Sequence, residues 1–132
     1  MPATLKIMIF RGTPDTPSRR HTALLIEMSD GSNLMVHIVG EAPHFRKDMR
    51  ENTRPDQSVR FLKEIFVANI TGKTMAQIGA VVFGTHIRSG GDWNCQNWVS
   101  DALRAICAKN WITEHARSAA DAAMMDTVNT AR

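Results

Sequence analysis

One of the two cysteines, Cys95, sits where a thiol can do chemistry. It stands within Gly91-Asp92-Trp93-Asn94-Cys95-Gln96-Asn97-Trp98-Val99-Ser100-Asp101-Ala102-Leu103. Asp92 and Asn94 are helix-starting residues, and Val99, Ala102, Leu103 and Ile106 continue as an amphipathic run. A thiol on the first turn of a helix meets unpaired backbone N–H groups and the positive end of the helix dipole. Both favour the thiolate, which is the nucleophile. Far upstream, Arg20-His21-Thr22-Ala23-Leu24-Leu25-Ile26-Glu27 carries a histidine at the mouth of a strand. A cysteine on a helix start and a histidine on a strand form the pair that thiol nucleophilic catalysis needs. A second histidine, His37, falls on the next strand. Neighbouring strands lie about 4.8 Å apart, so the two imidazoles can share a face, but register decides whether they do.

Other chemistries find little support. No two of His21, His37, His44, His86 and His115 are spaced i, i+4, and there is no CxxC, so no metal site is expected. His44, His86 and His115 read as solvated or packed side chains. No nucleophile elbow, P-loop or dinucleotide fingerprint occurs, and no cofactor is implied. Cys107 lies deeper in the apolar run and reads as a small buried hydrophobe. Along one helix, Cys95 and Cys107 would be about 18 Å apart, against the roughly 7 Å a disulfide allows. Unpaired cysteines fit a reducing compartment.

The elements that must hold these residues are legible from pattern. Leu5–Phe10, His21–Met28, Leu34–Val39 and Phe61–Ile70 read as strands. Ser29-Asp30-Gly31-Ser32-Asn33 is a turn, which makes the second and third strands a hairpin. Gly12–Ser18 is a loop punctuated by Pro14 and Pro17. Glu41–Ser58 is polar, holds Pro43 and Pro55, and is expected to be a long loop with at most one helical turn. Thr74–Val82 reads as a short helix with Thr74 or Thr71 as its cap. A main helix is expected over about 94–109, and a last, Ala-rich one over 113–125 with Thr113 as N-cap. Arg88-Ser89-Gly90-Gly91 is a turn that lets the main helix start approach a ligand.

A chain of 132 residues with 43% hydrophobic side chains forms one domain, residues 1–132, with a sizeable core. A net charge of +3 without a basic, aromatic-interleaved stripe gives no nucleic-acid surface. The apolar runs are far short of the roughly 20 residues of a membrane span. The N-terminus lacks the parts of a signal peptide, so no integral membrane segment and a cytoplasmic location are expected. Nothing in the pattern fixes the oligomeric state.

The order of these elements resembles the circularly permuted papain-like superfamily: His strand, turn, second His strand, long loop, strand, short helix, then a helix opening Asn-Cys. Its best-known branch is the lecithin:retinol acyltransferase family with the related phospholipase/acyltransferases; the PPPDE deSUMOylating isopeptidases are more distant. His21-Thr22-Ala23-Leu24-Leu25-Ile26 is similar to the His strand of the first branch, and Val36-His37-Ile38 to the next strand. Asn94-Cys95-Gln96-Asn97-Trp98 is similar to its Asn-Cys-Glu-His-Phe, and Phe61–Val67 to its intermediate strand. Small fungal proteins with an Asn/Gly-Cys-x-x-Trp-Val helix and an early strand histidine are similar as well. Gln96 and Asn97 replace the acidic residue and histidine after the family cysteine, and Thr22 replaces the aromatic that commonly follows the first histidine.

The resemblance implies an α+β fold, an antiparallel sheet packed against helices in a permuted papain-like order. It implies a hydrolase or acyltransferase working through an acyl-cysteine on a small-molecule or acyl substrate: an ester, amide or thioester. Cys95 is then nucleophile, His21 general base and acid, and His37 the group that orients His21. The Cys95 N–H is expected in the oxyanion hole, and Trp93, Asn94, Gln96 and Asn97 at the substrate. The alternative is a non-catalytic or repurposed relative whose cleft binds a small molecule or a protein partner.

Overall fold

The structure, a computed structural model, describes residues 2–41, 44–88 and 91–130. Five strands form one antiparallel sheet: β1 (Ala3–Phe10), β2 (His21–Met28), β3 (Asn33–Val39), β4 (Arg46–Glu51) and β5 (Phe61–Ile70). The spatial order is β4-β3-β2-β1-β5. Three helices follow, α1 (Met75–Phe83), α2 (Cys95–Ala108) and α3 (Glu114–Thr130). The architecture is thus α+β, with the helices all after the sheet.

Strand alternation divides the apolar residues between two faces. Leu5, Ile7 and Ile9 of β1, Leu24 and Ile26 of β2, and Val36 and Ile38 of β3 join the helices in the main core. Trp98, Leu103 and Ile106 of α2 meet them there, all fully buried. The intervening residues, Met8, Ala23, Leu25 and Met35, form a smaller cluster with Phe10 and Phe61 on the opposite face. Lys6 lies beyond it, paired with Glu27 and Glu64 at 2.7 Å each.

Local chemistry sets the helix starts. Thr74 caps α1 in a capping box with Gln77. Asn94 caps α2: its side chain accepts from the Gln96 N–H, and Asn97 Oδ1 accepts from the Asn94 N–H at 2.9 Å. The Thr113 hydroxyl accepts the Ala116 N–H at 3.0 Å, and α3 runs on to Thr130, beyond the expected 125. Trp98 donates its indole N–H to the Thr85 carbonyl at 3.0 Å, which satisfies the one polar atom of a fully buried ring.

One element departs from expectation. The polar stretch expected as a long loop contains β4, paired with β3 from Leu34↔Glu51 to Val39↔Arg46. Its residues are Arg46-Lys47-Asp48-Met49-Arg50-Glu51, with no apolar alternation to betray a strand. Edge strands often carry such charge, which discourages pairing with another chain. The single helical turn expected nearby is a short 3₁₀ turn at Pro55–Gln57. The turn expected before α2 includes Ser89 and Gly90, which lie outside the described residues; Gly91 has φ +58°, a value glycine adopts without strain.

Candidate active site

The sheet is not uniformly zipped. β2 pairs with β1 along its whole length, ending at Phe10↔His21. Its ladder with β3 stops at Leu24↔Val36. His21, Thr22 and Ala23 therefore form the splayed end of the β2–β3 pair. A cavity of about 980 Å³ opens there. His21, His37, Trp93, Asn94, Cys95, Gln96 and Asn97 all line it, with Phe45 and Met125 among the apolar walls.

On the sheet face away from the helices, two histidines and a carboxylate form a row. His21 Nε2 lies 2.8 Å from His37 Nδ1, and His37 Nε2 lies 2.8 Å from Asp48 Oδ2. His37 and Asp48 are direct cross-strand partners. Arg50 Nε donates to the same Asp48 oxygen at 3.0 Å. An ionised carboxylate only accepts, so His37 Nε2 carries the proton and its Nδ1 is an acceptor. His21 Nε2–H then donates to His37, leaving His21 Nδ1 as a bare lone pair. That nitrogen has no hydrogen-bond partner among the described residues.

The electrostatics keep this row neutral at its histidine end. Burial lowers the pKa of His21 to about 4, with a smaller push from His37. Burial also lowers His37, against the pull of Asp48, while Arg50 and then His37 hold the Asp48 carboxyl below its usual range. Asp48 was missed in the sequence because β4 was missed. The available signal was a lone acidic residue at the centre of a basic run after the second histidine.

Cys95 reaches the cavity from the other side of the sheet. It opens α2, which packs on the helix face, and it is 8% exposed. Its thiol donates to the Arg20 carbonyl at 3.7 Å. No hydrogen bond joins it to His21 among the described residues. β2 alternation explains this: Thr22 faces the helices and Cys95, and His21 faces the other way. The two meet only where the splayed strand end lets one cavity touch both faces.

The expectation of a thiolate-favouring helix start is opposed by burial. Burial pushes the Cys95 thiol up, and the N–H and hydroxyl of Thr22, with the N–H groups of Cys95 and Gln96, act in the opposite direction. Burial prevails, and the resting sulfur is a protonated thiol.

The remaining expected site residues divide by whether their polar atoms are already engaged. Gln96 is buried, and its Nε2 donates to the carbonyls of Pro17 at 2.7 Å and Arg20 at 3.2 Å. Both amide hydrogens are thus committed to tying α2 to the segment before β2, not to substrate. Asn94 and Asn97 use their oxygens in the capping box, which leaves their Nδ2 donors at the cavity. Trp93 packs edge-on against Phe45, ring centroids 6.2 Å apart, as part of the apolar wall.

Arg20 braces the same segment. Its guanidinium is buried, forks onto Asp15 at 2.9 and 3.1 Å, and donates to the Thr127 and Val128 carbonyls near the end of α3 at 2.8 and 3.2 Å. A cation at a helix C-terminus satisfies carbonyls that the helix leaves open.

Among the described residues, no three His, Cys, Asp or Glu side chains are grouped to hold a metal, and no helix is long and apolar enough to cross a membrane. No curated protein and no solved structure matches the chain. A family model does, over residues 7–113, a span that holds His21, His37, Asp48 and Cys95 and ends before α3. The chain belongs to DUF6540, a family of unknown function.

Proposed function

We propose that the protein is a thiol-dependent hydrolase or acyltransferase of permuted papain-like order, working through an acyl-Cys95 intermediate on an ester, amide or thioester. The observation that carries this reading is the Asp48–His37–His21 relay, whose unpaired His21 Nδ1 ends in the cavity that Cys95 also lines. A relay of this polarity fixes one imidazole tautomer and leaves a general base at its end.

The chemistry starts from a neutral pair. The reading requires substrate binding to bring His21 Nδ1 and the sulfur within reach across the cavity both line, and catalytic hydrogen bonds are commonly loose before substrate is bound. His21 Nδ1 takes the S–H proton as the sulfur attacks the acyl carbon and the carbonyl electrons move to oxygen. The developing oxyanion is met by the Cys95 N–H. In the first turn of α2, the Gln96 and Asn97 N–H groups are taken up by the Asn94 cap, while that of Cys95 is not. Collapse of the intermediate breaks the bond to the leaving group, which receives the proton from His21. Water or an acceptor alcohol, amine or thiol then repeats the sequence on the thioester.

A second reading draws on the thiol itself. The sulfur is buried and bonded to the Arg20 carbonyl, as a structural cysteine would be, and the cavity then binds its ligand with the relay alone. Incubation with a series of p-nitrophenyl acyl esters, read by intact mass, separates the two. The expected result is an added acyl mass on Cys95, lost together with turnover in Cys95→Ala. Full turnover by a folded Cys95→Ala protein overturns the acyl-cysteine reading and favours the second.

A further inference from the structure

Four buried side-chain atoms lack a formed hydrogen bond among the described residues: Thr22 Oγ1, Thr53 Oγ1, Asp101 Oδ2 and Arg117 Nη1. Thr22 is fully inaccessible to solvent. A hydroxyl buried without a partner is destabilising, because water bonded to it in the unfolded chain and nothing replaces that water. Valine has nearly the same shape and avoids the loss. Strand position alone therefore does not explain a threonine here, and such a group calls for another account.

Its neighbour supplies one. Thr22 lies on the helix face of β2, between Arg20, whose carbonyl accepts the Cys95 S–H, and Leu24 in the core. Its hydroxyl and its N–H both face the Cys95 sulfur. A neutral thiol is a weak acceptor, so the O–H gains little from it in the resting state. A thiolate accepts strongly, because a hydrogen bond to an ionised group is about twice as strong as a neutral one. The Arg20 carbonyl behaves oppositely: it holds the S–H and repels the anion.

We propose that the Thr22 hydroxyl is the donor held in readiness for the Cys95 thiolate, and that Thr22 sets the reactivity of this nucleophile. This rests on the reading of Cys95 as the attacking group. When His21 removes the thiol proton, the Arg20 carbonyl keeps only the Gln96 amide as a donor and the Thr22 O–H gains an acceptor. The same exchange runs backwards when the sulfur is expelled from the acyl-enzyme as a thiolate. Thr22 touches a reacting atom and so acts directly rather than through another residue.

The test measures the sulfur, not turnover. The full chain is alkylated with iodoacetamide from pH 7 to 11.5, and modification at Cys95 is separated from that at Cys107 by peptide mapping. Thr22→Val removes the hydroxyl and keeps the shape; Thr22→Ser keeps the hydroxyl. The expected result is a rise of about one pH unit in the Cys95 midpoint for Thr22→Val, a loss of about tenfold in thiolate at neutral pH. Thr22→Ser should keep the wild-type midpoint. The other titratable groups lining the cavity, His21, His37, Glu41, Asp92, Arg19 and Arg20, are common to all variants. Thr22→Val should melt no lower than wild type, since it removes an unpartnered hydroxyl. If it does not fold, Thr22→Ala compared with Thr22→Ser repeats the measurement. A wild-type midpoint in the variant without the hydroxyl overturns the proposal. A raised midpoint in a protein whose Cys95→Ala variant still turns over substrate leaves the action of Thr22 on the sulfur standing and removes the acyl-enzyme reading instead.

Discussion

A neutral imidazole beside a neutral thiol makes a different nucleophile from a preformed thiolate–imidazolium pair. Burial lowers His21 to about 4 and raises Cys95, so neither charge exists at rest near pH 7. His21 can accept a proton whenever it is neutral, which is at any pH above about 4. The acid limb of kcat/KM should therefore fall near pH 4 to 5, not near the ordinary histidine value of about 6.5. A limb centred near 6.5 on a p-nitrophenyl ester would show that His21 is not the base. Asp48 acts through His37. In Asp48→Ala, His37 is free to carry its proton on Nδ1, which sets two donors against each other at the His21 contact. His21 then loses its orientation, and kcat should fall by about 100-fold. Asp48→Asn keeps an acceptor oxygen toward His37 Nε2–H and should recover part of that loss, an order that packing alone does not predict.

Elements with a strong apolar period were legible, and elements organised by polar contacts were not. β2 and β5 fall on the expected residues, 21–28 and 61–70, because each pairs an apolar pattern with clear turn signals at its ends. β4 has no such period, and with it went Asp48, the third member of the relay. The histidines and the cysteine were visible by type. Their facing was not, because it depends on β2 register and on where the β2–β3 ladder ends. Nor does sequence show how deeply α2 sinks its first turn, and that depth is what makes burial outweigh the helix start at Cys95. Gln96 shows the same limit: beside a nucleophile it reads as a substrate contact, yet its amide ties α2 to the segment before β2. Gln96→Ala leaves the Pro17 and Arg20 carbonyls without that donor and should lower stability by about 2 kcal/mol in urea denaturation. Gln96→Glu offers no donor either and should fail to restore it. Wild-type stability in either variant would mean that the tie is dispensable.

At the scale of the whole molecule, the relay makes the fold sensitive to mild acid. His21 has a folded pKa of about 4 against about 6.5 unfolded, so between those values the unfolded chain binds the proton more readily. Stability is then complete above about pH 6.5 and declines as pH falls toward 4. His37, also lowered by burial, works in the same direction. The depressed carboxylates, Asp15 and Asp48, work later: their contribution is present above their unfolded value and is lost only as pH falls through their lower folded ones. The first destabilisation met on acidification therefore comes from the histidines. Its upper bound for His21 is about 3 kcal/mol, less whatever solvent reaches the partly exposed ring. Thermal melts at constant ionic strength should show Tm level from pH 8 to 6.5 and falling by several degrees by pH 4.5. His21→Gln should flatten that slope, because a glutamine takes up no proton in the window. A melting temperature independent of pH between 6.5 and 4.5 would mean that His21 is not held neutral by the fold, and the same result would remove the general base on which the acyl-transfer reading depends.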